Sequence, residues 1–420
     1  MQDRSRRRIL VLAPRNPYPT IGGDRLRIHR LSRELAKRHD LTLLTFCTSR
    51  RELSDPLPDD GVFKSVHRVL LPRWRSWLNS LAALPSSRPL QIAYYESRAF
   101  RDAVHELAPA HDVLLAHLIR TADYVRDLPS LRVLEMTDAI SMSMERAGRC
   151  RSDFFDIRRH LYRIEARRLI AYEREIARSF HLISLTSAVD AEYLAQRHVW
   201  SLTSKHVVVP NGADAPAQEP PAQADRSRHE IAFIGNLHSL QNFDGVWFFV
   251  RQAWPEIRRR YPQALLRIFG PTRPIAARRL RAIPGVRLEG VVPRLDQALA
   301  SARIGICPVR ITAGIQNKIL DYFSNRMAVV ASPNSIEGVQ ARVDEHVLTA
   351  ATAQEWVHQV CKLFEDLALS QRLADAGRRL VLERHSWERC VQPVLAQLDL
   401  LMPQPAQDTA PQKAVAASFA

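Results

Sequence analysis

A chain of 420 residues, 46% hydrophobic and 25% charged, has the make-up of a folded globular protein rather than a disordered one. It is too long for one ordinary hydrophobic core, which predicts two domains, and no run of roughly twenty apolar residues predicts a membrane span. The formal net charge of +16 suits nucleic acid, an anionic membrane surface or phosphorylated ligands equally, so charge selects no function.

The first segment, MQDRSRRRILVLAPRNPYP, has the basic run of a signal peptide, but Ile9 to Ala13 is too short for its apolar region and reads as a buried strand. DRLRIHRLSRELAKRH then has helical periodicity, and LTLLTF is again a short apolar run. The alternation continues through HDVLLAH, LRVLEMT and HLISLTS, each followed by a helical stretch. Continuous apolar strands separated by helices predict a parallel sheet covered on both faces. KHVVVPNGAD ends this unit, and APAQEPPAQADRSRH has the composition of a connecting segment. After it the rhythm restarts: EIAFIG, a helix through DGVWFFVRQAWPEIRRRYP, then ALLRIFG, VRLEG, RIGICPVR, MAVVASP and EHVLTA. The expectation is an α/β protein with two doubly wound parallel sheets, closed by an amphipathic helix near residues 385–402. In open parallel sheets ligands bind beyond the carboxyl ends of the strands, so two such sheets can offer both sets of loops to one crevice.

The five cysteines (Cys47, Cys150, Cys307, Cys361, Cys390) are scattered and form no Cys-x-x-Cys pair. They read as reduced, buried thiols of a cytosolic protein, not as a zinc site. Only six of the 60 basic residues besides histidine are lysines, at 37, 64, 205, 318, 362 and 413. Lys318 sits in AGIQNKILDYFSNRMAVVAS, directly after the strand RIGICPVR. A glycine-containing turn that opens a helix after a parallel strand leaves backbone N–H groups and the positive end of the helix dipole free for an anion. Lys318 and Asp321 share one helical face, while Leu320 and Phe323 turn toward the sheet. The pair reads either as an ordinary surface ion pair or as a grip on a nucleotide, with the ammonium at a diphosphate and the carboxylate at the ribose.

These pieces resemble a known family. IGGDRLRIHRLSREL, RPLQIAYY, YEREIARSF, VVVPNGAD, IAFIGNL, LLRIFGPTRP, the AGIQNK segment with IEGV, and RHSWE follow the order of a GT-B glycosyltransferase of family 4 (group 1). Within that family they are most similar to sugar transferases of exopolysaccharide and PEP-CTERM (exosortase) loci. The resemblance spans about residues 8 to 400. It implies two Rossmann-like lobes facing a central cleft: 1–205 binding the acceptor, 206–384 binding a nucleotide-sugar donor, a helix at 385–402 returning to the N-terminal lobe, and a loose tail at 403–420. It implies hexosyl transfer from a nucleoside-diphosphate sugar, with retention and without a bound metal or cofactor, to a glycan or polyprenyl-linked acceptor. The setting implied is exopolysaccharide or cell-envelope glycan synthesis in the bacterial cytoplasm, at the inner face of the membrane. An inert nucleotide-sugar-binding scaffold is the alternative.

Residue by residue, Asp321 matches the second acid of the family's E-x7-E motif and is one methylene shorter. The first acid is replaced by Ala313. Gly314, Ile315, Gln316 and Asn317 remain as backbone and amide donors beside Lys318. Where relatives carry a basic pair after the FIG strand, this chain has Asn236 and Asn242. Arg310 and Lys318 are the expected replacements, with Arg273 nearer the base. In the N-terminal lobe, Gly22 and Gly23 permit close backbone approach to a ligand or form a plain turn. His117 ends HDVLLAH and resembles the family's active-site histidine, or is an ordinary core or surface histidine; Asp138 ends LRVLEMTD in the same way. Both are candidate catalytic residues. No Asp-x-Asp occurs, the nearest being Asp190-Ala-Glu192. The stretch 145–178 mixes arginine with apolar residues and suits either an anionic membrane or a solvated helix face. No nucleic-acid module is recognised, so nucleic acid is not an expected partner.

Overall fold

The computed structural model describes residues 6–149, 159–197, 199 and 205–401. Two all-parallel sheets form the two lobes. The first contains β1 (Arg8–Ala13), β2 (Asp40–Cys47), β3 (Ser65–Leu70), β4 (Val113–His117), β5 (Leu131–Thr137), β6 (Leu182–Leu185) and β7 (Lys205–Val208), in the order β3-β2-β1-β4-β5-β6-β7. The second contains β8 (Ser227–Ile234), β9 (Leu265–Phe269), β10 (Val286–Gly290), β11 (Ala302–Cys307), β12 (Ala328–Ala331) and β13 (Leu348–Thr349), in the order β10-β9-β8-β11-β12-β13. Each apolar run read above as a strand is therefore a strand, and Ile9 to Ala13 are fully buried. A strand covered on both faces must be apolar at consecutive positions, which is why these runs do not alternate.

In each sheet the order reverses once, between β1 and β4 and between β8 and β11, leaving a crevice beyond the carboxyl ends at that point. The ends of these four strands and the turns that follow them carry Gly22 and Gly23, His117, Asn236, and the segment from Arg310 to Gln316.

Helices cover the sheets. In the first lobe they include α1 (Gly23–Ala36), α2 (Arg73–Ala82), α3 (Arg159–Ala177) and α4 (Ala188–Gln196); in the second, α5 (Leu240–Phe248) and α6 (Asn317–Ser324). The predicted helix from Asp244 starts earlier, at Leu240, and changes to a π-helical turn at Phe249–Ala253 just before Pro255. Proline has no N–H to give the preceding turn, so the ladder changes its spacing there. A last helix, α7 (Trp387–Leu401), returns to the first lobe, where Val391, Val394, Leu395 and Leu398 join the core built by Ile28, Leu31 and Leu35 of α1.

The boundary expected at residue 205 falls one strand early. β7 pairs with β6 from Leu182↔Lys205 to Leu185↔Val208, and Val209 N–H still donates to Leu185 O (2.7 Å). Pro210, which has no N–H to donate, then ends the pairing, so the chain leaves the first lobe after Val209.

Cys47, Cys307, Cys361 and Cys390 are free and buried, while Cys150 and the expected tail from 403 lie outside the described residues. Of the basic stretch 145–178, residues 150–158 are also outside them, and α3 buries Glu165, Ala166, Leu169, Tyr172, Glu173 and Ile176. Among the described residues no helix is long and apolar enough to cross a membrane.

Candidate functional site

The C-terminal side of the crevice is built around α6. Tyr322 fastens this helix to the sheet: its hydroxyl accepts from Ile234 N (2.8 Å) and donates to Ile306 O (3.1 Å). Its ring lies so near Gly305 that a Cβ there would approach it to 2.4 Å. Leu320 and Phe323 are buried beneath the helix, as their spacing predicts. Lys318 is only 8% exposed. Its ammonium donates to Asn242 Oδ1 and Gln316 Oε1, both at 3.1 Å, and lies 5.6 Å from the centre of the Phe233 ring. The reading as a surface ion pair with Asp321 is overturned: Lys318 is buried and bonded to two neutral carbonyl oxygens. An ammonium has three donors, so one N–H has no partner among the described residues. Asp321 is half-buried, and none of the described residues gives its carboxylate a hydrogen bond. Burial, with the neighbouring Asp214 charge, raises its pKa to about 7 against the opposing pull of Lys318.

The N-terminal side begins at Gly22, whose φ of 104° suits glycine and which starts α1 without a side-chain cap. Gly23 lies against the other lobe, since a Cβ added there would stand 3.5 Å from Asn317 Nδ2. Behind this loop is a buried group that the sequence reading missed. Arg27, 1% exposed, donates from Nε to Glu135 Oε1 (2.7 Å) and from Nη1 to Val209 O (3.0 Å) and Asn211 Oδ1 (2.6 Å). Glu135 Oε2 also takes the His117 Nδ1 contact (2.5 Å) and the Thr137 hydroxyl (2.8 Å). Burial alone would raise the Glu135 pKa, but the Arg27 charge and the His117 contact outweigh it and hold the carboxyl at about 2. Glu135 thus fixes the His117 ring, whose buried Nε2 has no partner among the described residues. Leu118 and Thr137, after His117 and at the end of β5, stand at φ of 63° and 65°, a strained region for residues with a Cβ.

Several ties cross between the lobes. Asn211 Nδ2 donates to Asn317 Oδ1 (2.7 Å), so Arg27, Asn211 and Asn317 form a chain through the crevice floor. Asp190, fully buried on α4, accepts from Ala139 N (2.8 Å), from Gly314 N (3.0 Å) and from Ser187 Oγ. Arg146 donates to Thr312 O and Glu337 Oε2, each at 2.7 Å. Gly314 has a φ of 65°, and a Cβ on it would come within 1.8 Å of Asp138 Oδ1. Asp138 accepts from Thr186 Oγ1 (3.0 Å), and burial together with the Asp190 charge raises its pKa. The one local signal for Asp190 is Ser187, three residues before it, which caps α4 by accepting from Asp190 N.

Some predicted residues stand apart. Arg310 is given to Asp244, with Nε and Nη2 donating to Oδ2 at 3.2 and 2.7 Å, and it lies over the Phe248 ring. Arg273 is exposed and donates to His238 O (3.2 Å). Asn236 is also exposed; its Oδ1 accepts from His238 N (2.9 Å) and so shapes a turn. Ile315 is buried in the second lobe's core, and Ala313 in that of the first. Gln316 joins Lys318 to Thr312 Oγ1.

Two parallel-sheet lobes that meet across their topological switch points define the GT-B fold. In keeping with this, residues 228–366, most of the second lobe, match the family model described as Glycosyl transferases group 1. Sucrose-phosphate synthase from Thermosynechococcus elongatus superposes over 94% of this chain and 99% of its own, with a TM-score of 0.69 and 14% identity. Anabaena HepE in complex with UDP-glucose is similar over 94% of this chain and 100% of its own (TM-score 0.63, 13% identity). A trehalose-6-phosphate protein structure from E. coli bound with UDP-2-fluoro glucose is similar over 93% and 98% (TM-score 0.62, 11% identity).

Proposed function

We propose that this protein is a glycosyltransferase that takes its sugar from a nucleoside-diphosphate donor bound at α6. The observation that carries this reading is the buried Lys318 ammonium, with one N–H unspent, at the switch point of the second sheet. The UDP-glucose bound in Anabaena HepE supports the same donor class. Departure of a nucleoside diphosphate builds negative charge, which fixed donors stabilise as they do an oxyanion. Lys318 takes that part, the Gly314 N–H being spent on Asp190, and Asp321 takes the ribose hydroxyls. A metal and a cofactor are then not needed. His117, whose Nε2 has no partner among the described residues, hydrogen-bonds the transferred sugar or the acceptor, and Asp138 packs against Gly314. The family resemblance adds retention at the anomeric carbon, a glycan or polyprenyl-linked acceptor held by the first lobe near Gly22 and Gly23, and a role in bacterial exopolysaccharide or envelope-glycan synthesis in the cytoplasm.

A charge-assisted hydrogen bond contributes roughly 1.5 to 3 kcal/mol, so Lys318→Ala is expected to weaken UDP-glucose or GDP-sugar binding roughly 10- to 150-fold in calorimetry. Lys362→Ala, on the exposed surface, leaves it unchanged. Equal and small effects of the two substitutions would refute the placement. A second reading, an inert nucleotide-sugar-binding scaffold, is favoured by the apolar Ala313 and by the capture of Arg310 by Asp244. Consumption of a radiolabelled donor with acceptor or water, insensitive to chelator, supports the enzyme; tight binding with no turnover supports the scaffold.

A further inference from the structure

Helix α2 is packed inside out. Its uncharged polar side chains face the protein: Ser76 is 1% exposed, Asn79 Nδ2 donates to Glu96 O (2.9 Å), and Ser80 Oγ donates to Leu90 O (3.1 Å). Its apolar side chains face outward. Trp74, Trp77, Leu78 and Leu81 recur at i, i+3, i+4 and i+7, which puts them on one face, and they are 65, 63, 55 and 57% exposed. Leu84 just beyond the helix is exposed as well, and Arg168 of α3 donates to its carbonyl (2.7 Å). The exposed Ile164, one turn before Arg168, thereby adjoins the same surface. A polar face inward and two tryptophans outward reverse the order water imposes, and a contiguous apolar surface of this kind marks an interaction site.

We propose that this face seats α2 flat on an anionic lipid bilayer. The occupant follows from charge. Between Asp60 and Glu96 the chain has no acidic residue but carries Lys64, Arg68, Arg73, Arg75 and Arg88. Arg73 and Arg75 are exposed on the helix itself, and neither forms an ion pair with any of the described residues. A second copy of this chain, also at +16, would bring like charge to the contact, whereas phosphate headgroups bring the opposite sign. Tryptophan and leucine on one face with arginine at its edge is the pattern of a helix lying in the headgroup region. The site differs from the 145–178 stretch that the sequence offered for this contact, and it does not depend on the donor reading.

The test is co-sedimentation of the full-length protein with vesicles of phosphatidylcholine alone or mixed with phosphatidylglycerol, with tryptophan emission read in parallel. The expected result is binding to the mixed vesicles, a blue shift of emission, and loss at high salt. Trp74→Ser with Leu78→Ser lowers the partition at least roughly tenfold. Arg73→Gln and Arg75→Gln each lower it roughly fivefold. The thermal melt followed by circular dichroism stays unchanged, because the altered side chains point away from the fold. UDP-glucose calorimetry on the same variants separates this result from the donor reading. The proposal is overturned if the protein ignores both vesicle types or if the serine variant binds as well as wild type. It is equally overturned if ultracentrifugation finds a dimer that the serine variant dissolves, which would give this face to a second copy.

Discussion

Replacing Gly314 by alanine tests the lobe contact at its narrowest point. Two costs add. The residue stands at φ 65°, where a side chain with a Cβ loses roughly 1 to 2 kcal/mol. The new Cβ would also lie 1.8 Å from Asp138 Oδ1, and real Cβ contacts do not fall below 3.0 Å, so the carboxylate must retreat by about 1.2 Å (3.0 − 1.8). Its way back is occupied, because Thr186 Oγ1 bonds that same oxygen and would itself stand 2.9 Å from the Cβ. Overpacking of this kind costs roughly 1 to 3 kcal/mol. Gly314→Ala is therefore expected to destabilise the protein by about 2 to 5 kcal/mol in urea unfolding. In an Asp138→Ala background the obstructing carboxylate is gone, and the same change should cost only the backbone share of about 1 to 2 kcal/mol. The difference between the backgrounds is the quantity read. If Gly314→Ala costs the same in both, Asp138 is not packed against this turn and the contact described here is wrong.

Glu135 and Asp321 give opposite pH signatures. The folded pKa of Glu135 is lowered from 4.5 to about 2, so its contribution, on the order of 3 kcal/mol, is full above pH 4.5 and fades toward pH 2. Glu135→Gln should remove that part of the acid dependence and, by leaving Arg27 buried without its counter-charge, cost about 3 to 5 kcal/mol at neutral pH; an unchanged urea midpoint from pH 5 to 2 in wild type would count against it. Asp321 is raised from 3.8 to about 7, so its contribution to stability is full below pH 3.8 and is lost as pH rises through 7. Ionisation also readies it to accept from ribose, so UDP-glucose affinity should rise across pH 7 in wild type and stay flat in Asp321→Asn, as calorimetry at pH 6 and 8 will decide.

The strands could be read in the sequence because burial on both sheet faces forces consecutive apolar residues, as in Ile9 to Ala13 and Ile304 to Cys307. The loops that carry Gly22, His117 and Gly314 could be placed because they follow those strands directly. The partners of these loops could not. Arg27 meets Glu135 108 residues away and Asn211 184 away, and Asp190 meets Gly314 across 124. Within its own segment Arg27 is one arginine among several on an amphipathic helix. Glu135 is a single acid inside an apolar run, LRVLEMT, and only the neighbouring strand end supplies its histidine. The stripe of Trp74, Trp77, Leu78 and Leu81 has helical spacing whichever way the helix faces. Its direction is set by the hydrogen bonds of Asn79 and Ser80 to Glu96 and Leu90, which local periodicity does not contain.

Two buried cations in this chain show why one site holds lysine when arginine is used almost everywhere else. Arg27 spans several acceptors spread over two directions, Glu135 on one side and Val209 with Asn211 on the other, which a planar fork reaches together through Nε and Nη1, at the cost of an Nη2 that has no partner among the described residues. The pocket of Lys318 presents two carbonyl oxygens, Asn242 Oδ1 and Gln316 Oε1, over the face of Phe233. A guanidinium there would bring at least two more buried donors than the pocket and one ligand oxygen can satisfy, and each unpaired donor costs roughly 1 to 3 kcal/mol. An ammonium leaves a single N–H over and concentrates its charge at one point. That residual donor is what an incoming phosphate oxygen completes, so the same geometry that excludes arginine from position 318 leaves room for an anion beside it.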